Sequence, residues 1–237
     1  MTQHSKVSKP GVVPPAWTRW GRYDLSRARY PVPKRVLDLG LVAMSLPAWG
    51  LVLAAVACLV RWKLGSPVLF RQERTGLRGA VFRMSKFRSM TEERDESGAL
   101  LPDASRLGRF GTWLRASSLD ELPEILCVMK GRMSLVGPRP LLPRYLGLYS
   151  EEQMRRHDSM PGLTGWAQVC GRNALSWEEK FRLDVWYVQN ASLGLDAWIL
   201  LLTVARVFRR DGIAAHGEAT MPEFKGTASS LHGKATG

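Results

Sequence analysis

Two adjacent carboxylates, Asp120 and Glu121, are the residues whose type and spacing point most directly to chemistry. Arg115 precedes them, and Arg139 follows them within the run GPRP. Carboxylates bind divalent cations such as Mg²⁺, and arginine guanidinium groups bind phosphate oxygens. The group therefore suits phosphoryl chemistry. The alternative is structural, because acidic residues in the first turn of a helix also compensate the helix dipole.

Short sequence signals indicate the elements around these carboxylates. Ser118 and Glu121 have the S-x-x-E spacing of a capping box, which predicts a helix over residues 120–130 that starts at the carboxylates. Pro123 agrees with this placement, because proline is tolerated near the start of a helix. Beyond this helix, Pro138 belongs to a rigid turn that presents one guanidinium group.

Two more segments contain candidate ligand-binding residues. Lys86 and Arg88 follow a predicted strand, where they are either a surface basic pair or phosphate contacts. Residues 161–173, PGLTGWAQVCGRN, contain three glycines together with Gln168 and Arg172. Glycine lets the backbone approach a ligand closely, so this segment predicts a ligand-binding loop. The alternative is a packed structural loop.

The charge of the chain is strongly positive and unevenly distributed. The 237 residues include 34 Lys+Arg against 21 Asp+Glu, and the net charge of +13 indicates an anionic partner such as nucleic acid, lipid or a phosphorylated substrate. Residues 1–35 carry eight basic residues and one acidic residue, and residues 61–90 carry the same numbers. Between them, residues 36–60 carry only Asp38. The positive charge therefore flanks one apolar segment.

This apolar segment, residues 36–60, is long enough to cross a bilayer as a straight helix. Two features favour instead a reentrant helix over residues 34–62, which enters one leaflet and returns. Both flanks are equally basic, whereas positive residues normally mark the cytoplasmic side alone. Pro47 interrupts the hydrogen bonds near the middle, and Ser45 is placed to bond a carbonyl that this interruption frees. The alternatives are a spanning helix that tolerates the proline and a buried core helix.

The remaining pattern predicts a small mixed domain. A hairpin is predicted from two short apolar runs, residues 67–74 and 80–84. Helical periodicity is present in four segments: residues 107–115, 120–130, 151–158 and 177–190. Residues 195–210 form an apolar helix with a basic end, which either lies in the membrane interface or packs in the core. The three cysteines stand far apart, which excludes a disulfide framework and a CxxC zinc site.

In this order, the motifs resemble the bacterial sugar transferase family, the small monotopic phosphoglycosyl transferases. These enzymes move a sugar 1-phosphate from a nucleotide sugar to a polyprenyl phosphate. The resemblance rests on KRVLDL, GSPVLFRQERTG, FRMSKFRSM, SSLDELPEILCVMKGRMSLVGPRPL, RHDSMPGLTGWAQVCGRN and FRLDVWYV. The runs GRNALSW and GEATMPEFKG resemble members that transfer N,N'-diacetylbacillosamine 1-phosphate, or a related amino sugar, to undecaprenyl phosphate.

The resemblance implies a role for each candidate residue. Asp120 is the implied nucleophile and Glu121 its partner, and both are implied ligands of Mg²⁺. The residues implied to bind the phosphates or the nucleotide are Lys86, Arg88, Arg115, Pro138, Arg139, Gln168 and Arg172. The apolar segment is the implied reentrant helix, with its bend at Pro47 beside Ser45. Family members commonly carry this proline about one helical turn later, where this chain has Gly50.

The expected protein is a mixed α/β, mostly helical and monotopic membrane enzyme with interfacial helices. Residues 1–33 are a basic and aromatic extension or plain disorder, and residues 34–62 are the reentrant helix. Residues 63–226 are a small cytoplasmic catalytic domain with an interfacial helix near 195–210, and residues 227–237 are a disordered tail.

The resemblance also implies an activity and its partners. The implied activity is the first membrane step of polysaccharide or glycoprotein glycan synthesis, at the cytoplasmic face of the bacterial inner membrane. It proceeds through a covalent aspartyl-phosphosugar intermediate and releases UMP. The expected partners are a UDP-sugar, polyprenyl phosphate and anionic lipid, without nucleic acid, and a homo-oligomer is left open.

Two other functions fit parts of the sequence. A nucleic-acid-binding protein would explain the pI of about 10.2 and the nine tryptophans. However, the basic residues cluster beside an apolar segment instead of forming a separate recognition module. A membrane adaptor without catalysis would explain the apolar segment, but it leaves Asp120, Glu121 and Arg139 without a role.

Overall fold

The computed structural model describes residues 30–171, 175–209 and 223–226. Most of the predicted N-terminal extension, Arg172 and the predicted tail lie outside the described residues. In the described part of the chain, one long helix precedes a domain that is mostly helical and contains two small sheets. The prediction of a mixed, mostly helical fold with a long apolar N-terminal helix is therefore confirmed.

Each of the two sheets has two strands. Strands β1 (Leu69–Thr75) and β2 (Val81–Phe87) pair antiparallel in a hairpin. Strands β3 (Ser134–Val136) and β4 (Gly162–Thr164) pair in parallel. The predicted hairpin is confirmed, although its second strand continues to Phe87 instead of ending at residue 84.

The alternation of side chains between the two faces of β2 sets the direction of Lys86, one of the residues implied to bind phosphate. Phe82 and Met84 are buried in a cluster with Ile125 and Val128, which belong to the helix after the carboxylates. Because successive side chains of a strand point to opposite faces, Lys86 lies on the same face as Phe82 and Met84. The hairpin therefore directs Lys86 towards the carboxylates.

The helices of the domain are short except for the last two. They are α2 (Asp103–Arg106), α3 (Arg109–Ala116), α4 (Ile125–Met129), α5 (Glu151–Met154), α6 (Trp166–Cys170), α7 (Trp177–Asn190) and α8 (Leu193–Arg209). Among the described residues, four 3₁₀ helices connect them or the strands: Leu77–Gly79, Leu119–Glu124, Pro143–Leu148 and Arg155–Asp158.

The structure corrects two of the predicted elements. The helix predicted over residues 120–130 is a 3₁₀ helix, Leu119–Glu124, followed by α4. Residues 161–173, predicted as a loop, contain β4 and α6, because the main chain of β4 bonds to β3.

Helix α1 (Val32–Leu64) is long and apolar enough to cross a membrane. It contains Pro47, which has no N–H to donate to the carbonyl four residues earlier. Side chains bond carbonyls near this position: Ser45 Oγ donates to the Leu41 carbonyl at 2.6 Å, with a longer contact of 3.3 Å to the Val42 carbonyl, and Trp49 Nε1 donates to the Val42 carbonyl at 3.0 Å. None of these bonds reaches the Ala43 carbonyl, which is the one that Pro47 leaves without its helical donor, so the rebonding expected of Ser45 stays a prediction.

The first turns of α1 are tied to the domain by buried polar groups. Lys34 Nζ lies 2.5 Å from Asp196 Oδ2 of α8, and both side chains are buried. Ser134 Oγ donates to Asp38 Oδ2 at 2.7 Å, and the Leu135 N–H donates to Asp38 Oδ1 at 3.3 Å. Helix α1 therefore holds β3 and α8 together.

The last turns of α1 pack on the same domain through apolar side chains. Val56 and Val60 are buried in a cluster with Phe87 and Leu114. Between the two packed ends, α1 exposes large apolar side chains: Met44, Leu46, Leu51 and Val52. An apolar surface of this kind suits a membrane anchor.

The buried ion pair between Lys34 and Asp196 is expected to stabilise the fold. Lys34→Met leaves Asp196 buried without its cation, which costs ~3–5 kcal/mol and lowers the Tm by roughly 10 °C. The matched control is Arg144→Met, which removes an exposed pair with Glu223 that contributes about 0–1 kcal/mol. Thermal unfolding of the detergent-solubilised variants measures both effects. Equal Tm values for the two variants would contradict the role of burial.

Candidate active site

The two carboxylates lie on the 3₁₀ helix Leu119–Glu124, here called the acidic turn. The predicted capping box is wrong. Ser118 is in the left-handed region, with a φ of 56°, and its side chain makes no capping hydrogen bond. Glu121 contacts Lys86 and Arg139 instead, because a carboxylate bonds two cations more strongly than one neutral backbone N–H.

Glu121 connects two cations that come from distant parts of the chain. Lys86 Nζ lies 2.7 Å from Glu121 Oε1 and 3.1 Å from Glu124 Oε1. Arg139 donates through both terminal nitrogens to Glu121, and the contact of Nη1 with Oε2 measures 3.3 Å. Burial raises the pKa of Glu121, but the positive charges of Arg139 and Lys86 outweigh burial, and the net pKa is lowered. Glu121 is therefore ionised at neutral pH.

Asp120 lies in a different electrostatic environment. Its side chain is buried and, within residues 30–171, 175–209 and 223–226, makes no ion pair. Burial and the adjacent charge of Glu121 raise the pKa of Asp120 to about 6, against the opposing charges of Lys86 and Arg115. Asp120 is thus a buried carboxylate that becomes ionised just below neutral pH.

The turn that carries Arg139 is fixed by the second sheet. The Gly137 N–H donates to the Thr164 carbonyl at 2.9 Å, and the Gly162 N–H donates to the Pro138 carbonyl at 3.0 Å. A Cβ atom on Gly137 would lie 2.1 Å from the main-chain oxygen of Met160, a distance that no side chain tolerates. The Gly137–Pro140 turn is therefore a rigid part of the site, as the sequence predicts.

Further cations surround Arg139. Burial lowers the pKa of Arg74 and of Lys180, and the positive charge of Arg139 lowers both further. Arg156 contacts the backbone of Arg139, because its Nη2 donates to the Arg139 carbonyl at 2.6 Å. Arg74 and Lys180 therefore add positive charge around Arg139, which can attract an anion such as a diphosphate, whereas the charge of Arg156 is already paired with Asp184.

The other residues predicted to bind the phosphates or the nucleotide differ in whether they reach the acidic turn and its cations. Arg115 is close enough to lower the pKa of Asp120, and its Nε donates to Ser89 Oγ at 2.9 Å. Arg88 points to the end of α1, where it donates to the Leu64 carbonyl. Gln168 Nε2 donates to the carbonyl of Leu163 at 3.2 Å. The structure thus brings together Lys86, Arg115, Asp120, Glu121 and Arg139. Pro138 adjoins Arg139 but its carbonyl is bonded by Gly162, and Arg88 and Gln168 make contacts outside this group.

Sequence reasoning missed four residues of the site. They are Arg74, Glu124, Arg156 and Asp184. Glu124 had a usable signal, because it stands within one turn of both predicted carboxylates. Arg156 and Asp184 stand in two of the runs on which the family resemblance rests, but nothing in those runs indicates that the two residues, 28 positions apart, form a pair.

The donor set at the acidic turn fits Mg²⁺ only in part. No group of three or more His, Cys, Asp or Glu side chains that could hold a metal ion exists among the described residues. Mg²⁺ is commonly held by one or two carboxylates together with substrate phosphates and water, and Asp120 fits such a ligand. Glu121 fits less well, because both of its oxygens accept from Arg139 or Lys86.

Comparison with known proteins identifies the family. The bacterial sugar transferase family matches residues 29–210. The chain is 52% identical over 194 residues to the uncharacterised sugar transferase EpsL of Bacillus subtilis (strain 168), covering 82% of this chain and 96% of the relative. It is also 38% identical over 197 residues to a UDP-glucose:undecaprenyl-phosphate glucose-1-phosphate transferase of Caulobacter vibrioides, covering 79% of this chain and 74% of the relative.

A third relative is much longer than the matched region. A UDP-glucose:undecaprenyl-phosphate glucose-1-phosphate transferase of Xanthomonas campestris pv. campestris is 39% identical over 209 residues, covering 83% of this chain but only 43% of the relative. The chain therefore spans less than half of that protein. On the family match and the Bacillus relative, the chain belongs to the bacterial sugar transferase family.

The two neighbouring carboxylates are expected to affect stability in opposite directions. Because the pKa of Asp120 is raised to about 6, its ionisation costs folding free energy as the pH rises from about 4 to about 6. Asp120→Asn should therefore stabilise the protein by ~1–3 kcal/mol at pH 7.5, and the gain should shrink towards pH 4.

Glu121→Gln is the matched variant, and it should destabilise the protein at pH 7.5. The lowered pKa of Glu121 means that its ionised form contributes stability above about pH 4.5, which is lost as the pH falls through the folded-state pKa. Measuring the Tm of both variants as a function of pH checks these two opposite expectations. A stability gain in Asp120→Asn that does not change with pH would contradict the raised pKa.

Proposed function

We propose that the protein is a phosphoglycosyl transferase that moves a sugar 1-phosphate from a UDP-sugar to polyprenyl phosphate. The observation that carries this proposal is the buried Asp120 carboxylate beside cations that Glu121 holds in place. Such a site offers a nucleophile and a fixed positive surface for a diphosphate, which are the requirements of phosphoryl transfer. The names of the Caulobacter and Xanthomonas relatives describe the same class of reaction.

In the proposed mechanism, Asp120 acts first as the nucleophile. A carboxylate oxygen of Asp120 attacks the β-phosphorus of the UDP-sugar, the bond from that phosphorus to the bridging oxygen breaks, and UMP leaves. An oxygen of polyprenyl phosphate then attacks the phosphorus of the aspartyl phosphosugar. The Asp120 oxygen–phosphorus bond breaks, and the product is a polyprenyl diphosphosugar with the carboxylate restored.

The surrounding residues position and neutralise charge. Arg139, Lys86 and Arg115 would contact the diphosphate oxygens on which negative charge accumulates, and Glu121 would keep the first two in place. Mg²⁺, when bound by Asp120 and the substrate phosphates, supplies further positive charge that favours the ionised carboxylate. Direct ligation by Glu121 remains a proposal that requires one of its contacts with the cations to be exchanged.

The proposal places the enzyme on the cytoplasmic face of the bacterial inner membrane, with α1 as a reentrant helix. Its two ends are both held by the same domain, through Lys34 and Asp38 at one end and Val60 at the other. The roughly 13 residues between Val42 and Val56, of which Trp49 and Leu53 also pack partly on the domain, would reach only about 20 Å as a helix, which is short of a ~30 Å hydrocarbon core. This geometry supports a helix that returns to the side it entered.

Helix α8 supplies a second proposed contact with the membrane. It exposes a row of large apolar side chains: Leu193, Trp198, Leu201 and Val204. Their spacing follows the helical period, so they share one face, while Asp196 and Ile199 of the same helix are buried in the domain. We therefore favour the interfacial alternative for α8, with its apolar face in the headgroup region of an anionic lipid surface. The identity of the sugar, including the predicted diacetylated amino sugar, stays a prediction.

Asp120→Asn is expected to abolish turnover while the protein still folds and inserts. Loss of a covalent nucleophile should lower UMP release by several orders of magnitude, on the order of 10³-fold or more. The assay uses the purified protein, Mg²⁺, polyprenyl phosphate and a panel of UDP-sugars. Asp103→Asn is the matched control, because Asp103 pairs with Arg106 at an exposed position and should leave the rate unchanged. Near-normal UMP release from folded Asp120→Asn would contradict the proposal.

The topology is tested by labelling both flanks of α1. In a variant without Cys58, Cys127 and Cys170, single cysteines replace Val32 or Lys63, both of which are exposed. A membrane-impermeant reagent added outside intact cells should label neither position, because both flanks face the cytoplasm. Labelling of one position alone would indicate a spanning helix.

Pro47→Leu in the same two backgrounds tests what causes the bend. The leucine restores a backbone donor and removes a clash, a change of ~3 kcal/mol in a helix interior. A mixture of topologies is expected, because the basic flanks still resist translocation. Unchanged labelling and activity would assign the bend to another residue.

A further inference from the structure

The carbonyl of Arg139 is held by a buried arginine that the proposed mechanism does not use. Arg156, on the 3₁₀ helix Arg155–Asp158, donates from Nη2 to this carbonyl at 2.6 Å. Only 2% of Arg156 is exposed, so the contact is shielded from water. A charge-assisted hydrogen bond in such a place is stronger and more directional than one at the surface.

The orientation of Arg156 is itself fixed. Its Nε and Nη2 lie 3.1 and 2.7 Å from Oδ2 of Asp184, a buried residue of α7. The guanidinium group also lies over the rings of Tyr149 and Phe181, with its carbon 5.9 and 5.7 Å from the two ring centres. The ion pair at the edge of the guanidinium group and the rings at its faces therefore fix the orientation of Arg156 relative to the Arg139 carbonyl.

This contact completes the fixation of the Gly137–Pro140 turn. Gly137 and Pro138 are held through their main-chain groups by β4, whereas the carbonyl of Arg139 is bonded by a side chain. The side chain of Arg139 leaves the backbone at this point and reaches Glu121. A rotation of the Arg139 backbone would therefore move its guanidinium group away from the acidic turn.

We propose that Arg156, oriented by Asp184, is a positioning residue for Arg139. It fixes the backbone from which the Arg139 guanidinium reaches Glu121 and, on the proposed function, the substrate diphosphate. Arg156 itself touches no reacting atom in this arrangement. This inference rests on the proposed function only where it names the diphosphate as the ligand of Arg139. The contacts of Arg156 are all with other residues of the protein and do not depend on that function.

A purely structural role is the competing explanation. In that case the ion pair between Arg156 and Asp184 would only attach α7 to the 3₁₀ helix Arg155–Asp158, and its loss would disturb the whole domain. The two explanations differ in how a change at Arg156 combines with a change at Arg139. Residues that act through one another give non-additive effects, whereas independent residues give effects that multiply in rate.

A double-mutant cycle on the full chain in detergent tests the proposal. The variants are Arg156→Lys, which keeps a positive charge but loses the paired geometry, Arg139→Lys, and the two combined. For each protein, kcat/KM for UMP release and Kd for UDP are measured. Arg156→Lys is expected to lower kcat/KM by about 10²-fold, since a small misplacement of a positioned group has effects of this size. The double variant is expected to match Arg139→Lys within about twofold.

Two controls keep the outcome unambiguous. Ile199→Val removes buried side-chain volume in a cluster that contains neither the residues packed beside Lys86 nor Arg139 nor the Arg156 pair, so it should lower the Tm without lowering kcat/KM. If Arg156→Lys does not fold, Asp184→Glu replaces it in the cycle, because it keeps the charge and shifts the position of the pair.

The results separate the positioning role from the proposed function. Losses in kcat/KM and in UDP affinity that multiply in the double variant would overturn the positioning role. Where Arg139→Lys turns over too slowly to measure, the UDP affinities alone complete the cycle. Absence of UMP release by the unmodified protein with every UDP-sugar would contradict the proposed function instead.

Discussion

The ion pairs of Glu121 are the interaction on which the candidate site depends. They join Lys86 of the hairpin and Arg139 of the Gly137–Pro140 turn to the acidic turn, three segments that are distant in the sequence. The three side chains are only partly buried, and they constrain one another because Arg139 binds Glu121 through both terminal nitrogens while Lys86 bonds the same carboxylate. Asp120, the next residue along the chain, takes no part in an ion pair within the described residues, and its carboxylate stays available for chemistry.

Close backbone packing is the second constraint on the site. Gly137, Gly162 and Gly165 meet where β3, β4 and the Gly137–Pro140 turn come together, and a Cβ on any of them would lie 2.0–2.2 Å from a backbone atom. Any other residue at these positions would force the two strands apart. The ion pairs of the site are made by side chains, which can change rotamer. The Gly137–Pro140 turn is instead fixed by backbone packing that requires glycine.

The sequence predicted the elements whose signals are local. Helix α7 begins and ends where predicted, since a capping box at Ser176 and Glu179 defines its start. It also predicted that Lys86, Asp120, Glu121 and Arg139 belong together, because the family resemblance supplied long-range information. Where local and long-range interactions compete, the local signal failed, as at Ser118, whose expected partner Glu121 is bonded to distant cations instead.

Other features had no local signal at all. The parallel pairing that makes β4 and α6 out of the segment after residue 160 depends on main-chain hydrogen bonds to β3, and side-chain patterns do not report these. The contact of Arg156 with the Arg139 carbonyl is of the same kind, since any residue type offers a carbonyl. Such contacts follow only from the fold.

The pairing of Lys34 with Asp196 also affects how the chain is made. Lys34 leaves the ribosome before its partner, which is 162 residues further along. At roughly 5–20 residues per second, about 10–30 s of synthesis separates the two residues. During that interval the apolar part of α1 can already be in the membrane while its charged first turns still lack the domain that will bury them. If α1 enters the membrane in that interval, as the proposed function requires, the domain folds against a helix that is already anchored, and this ion pair closes last.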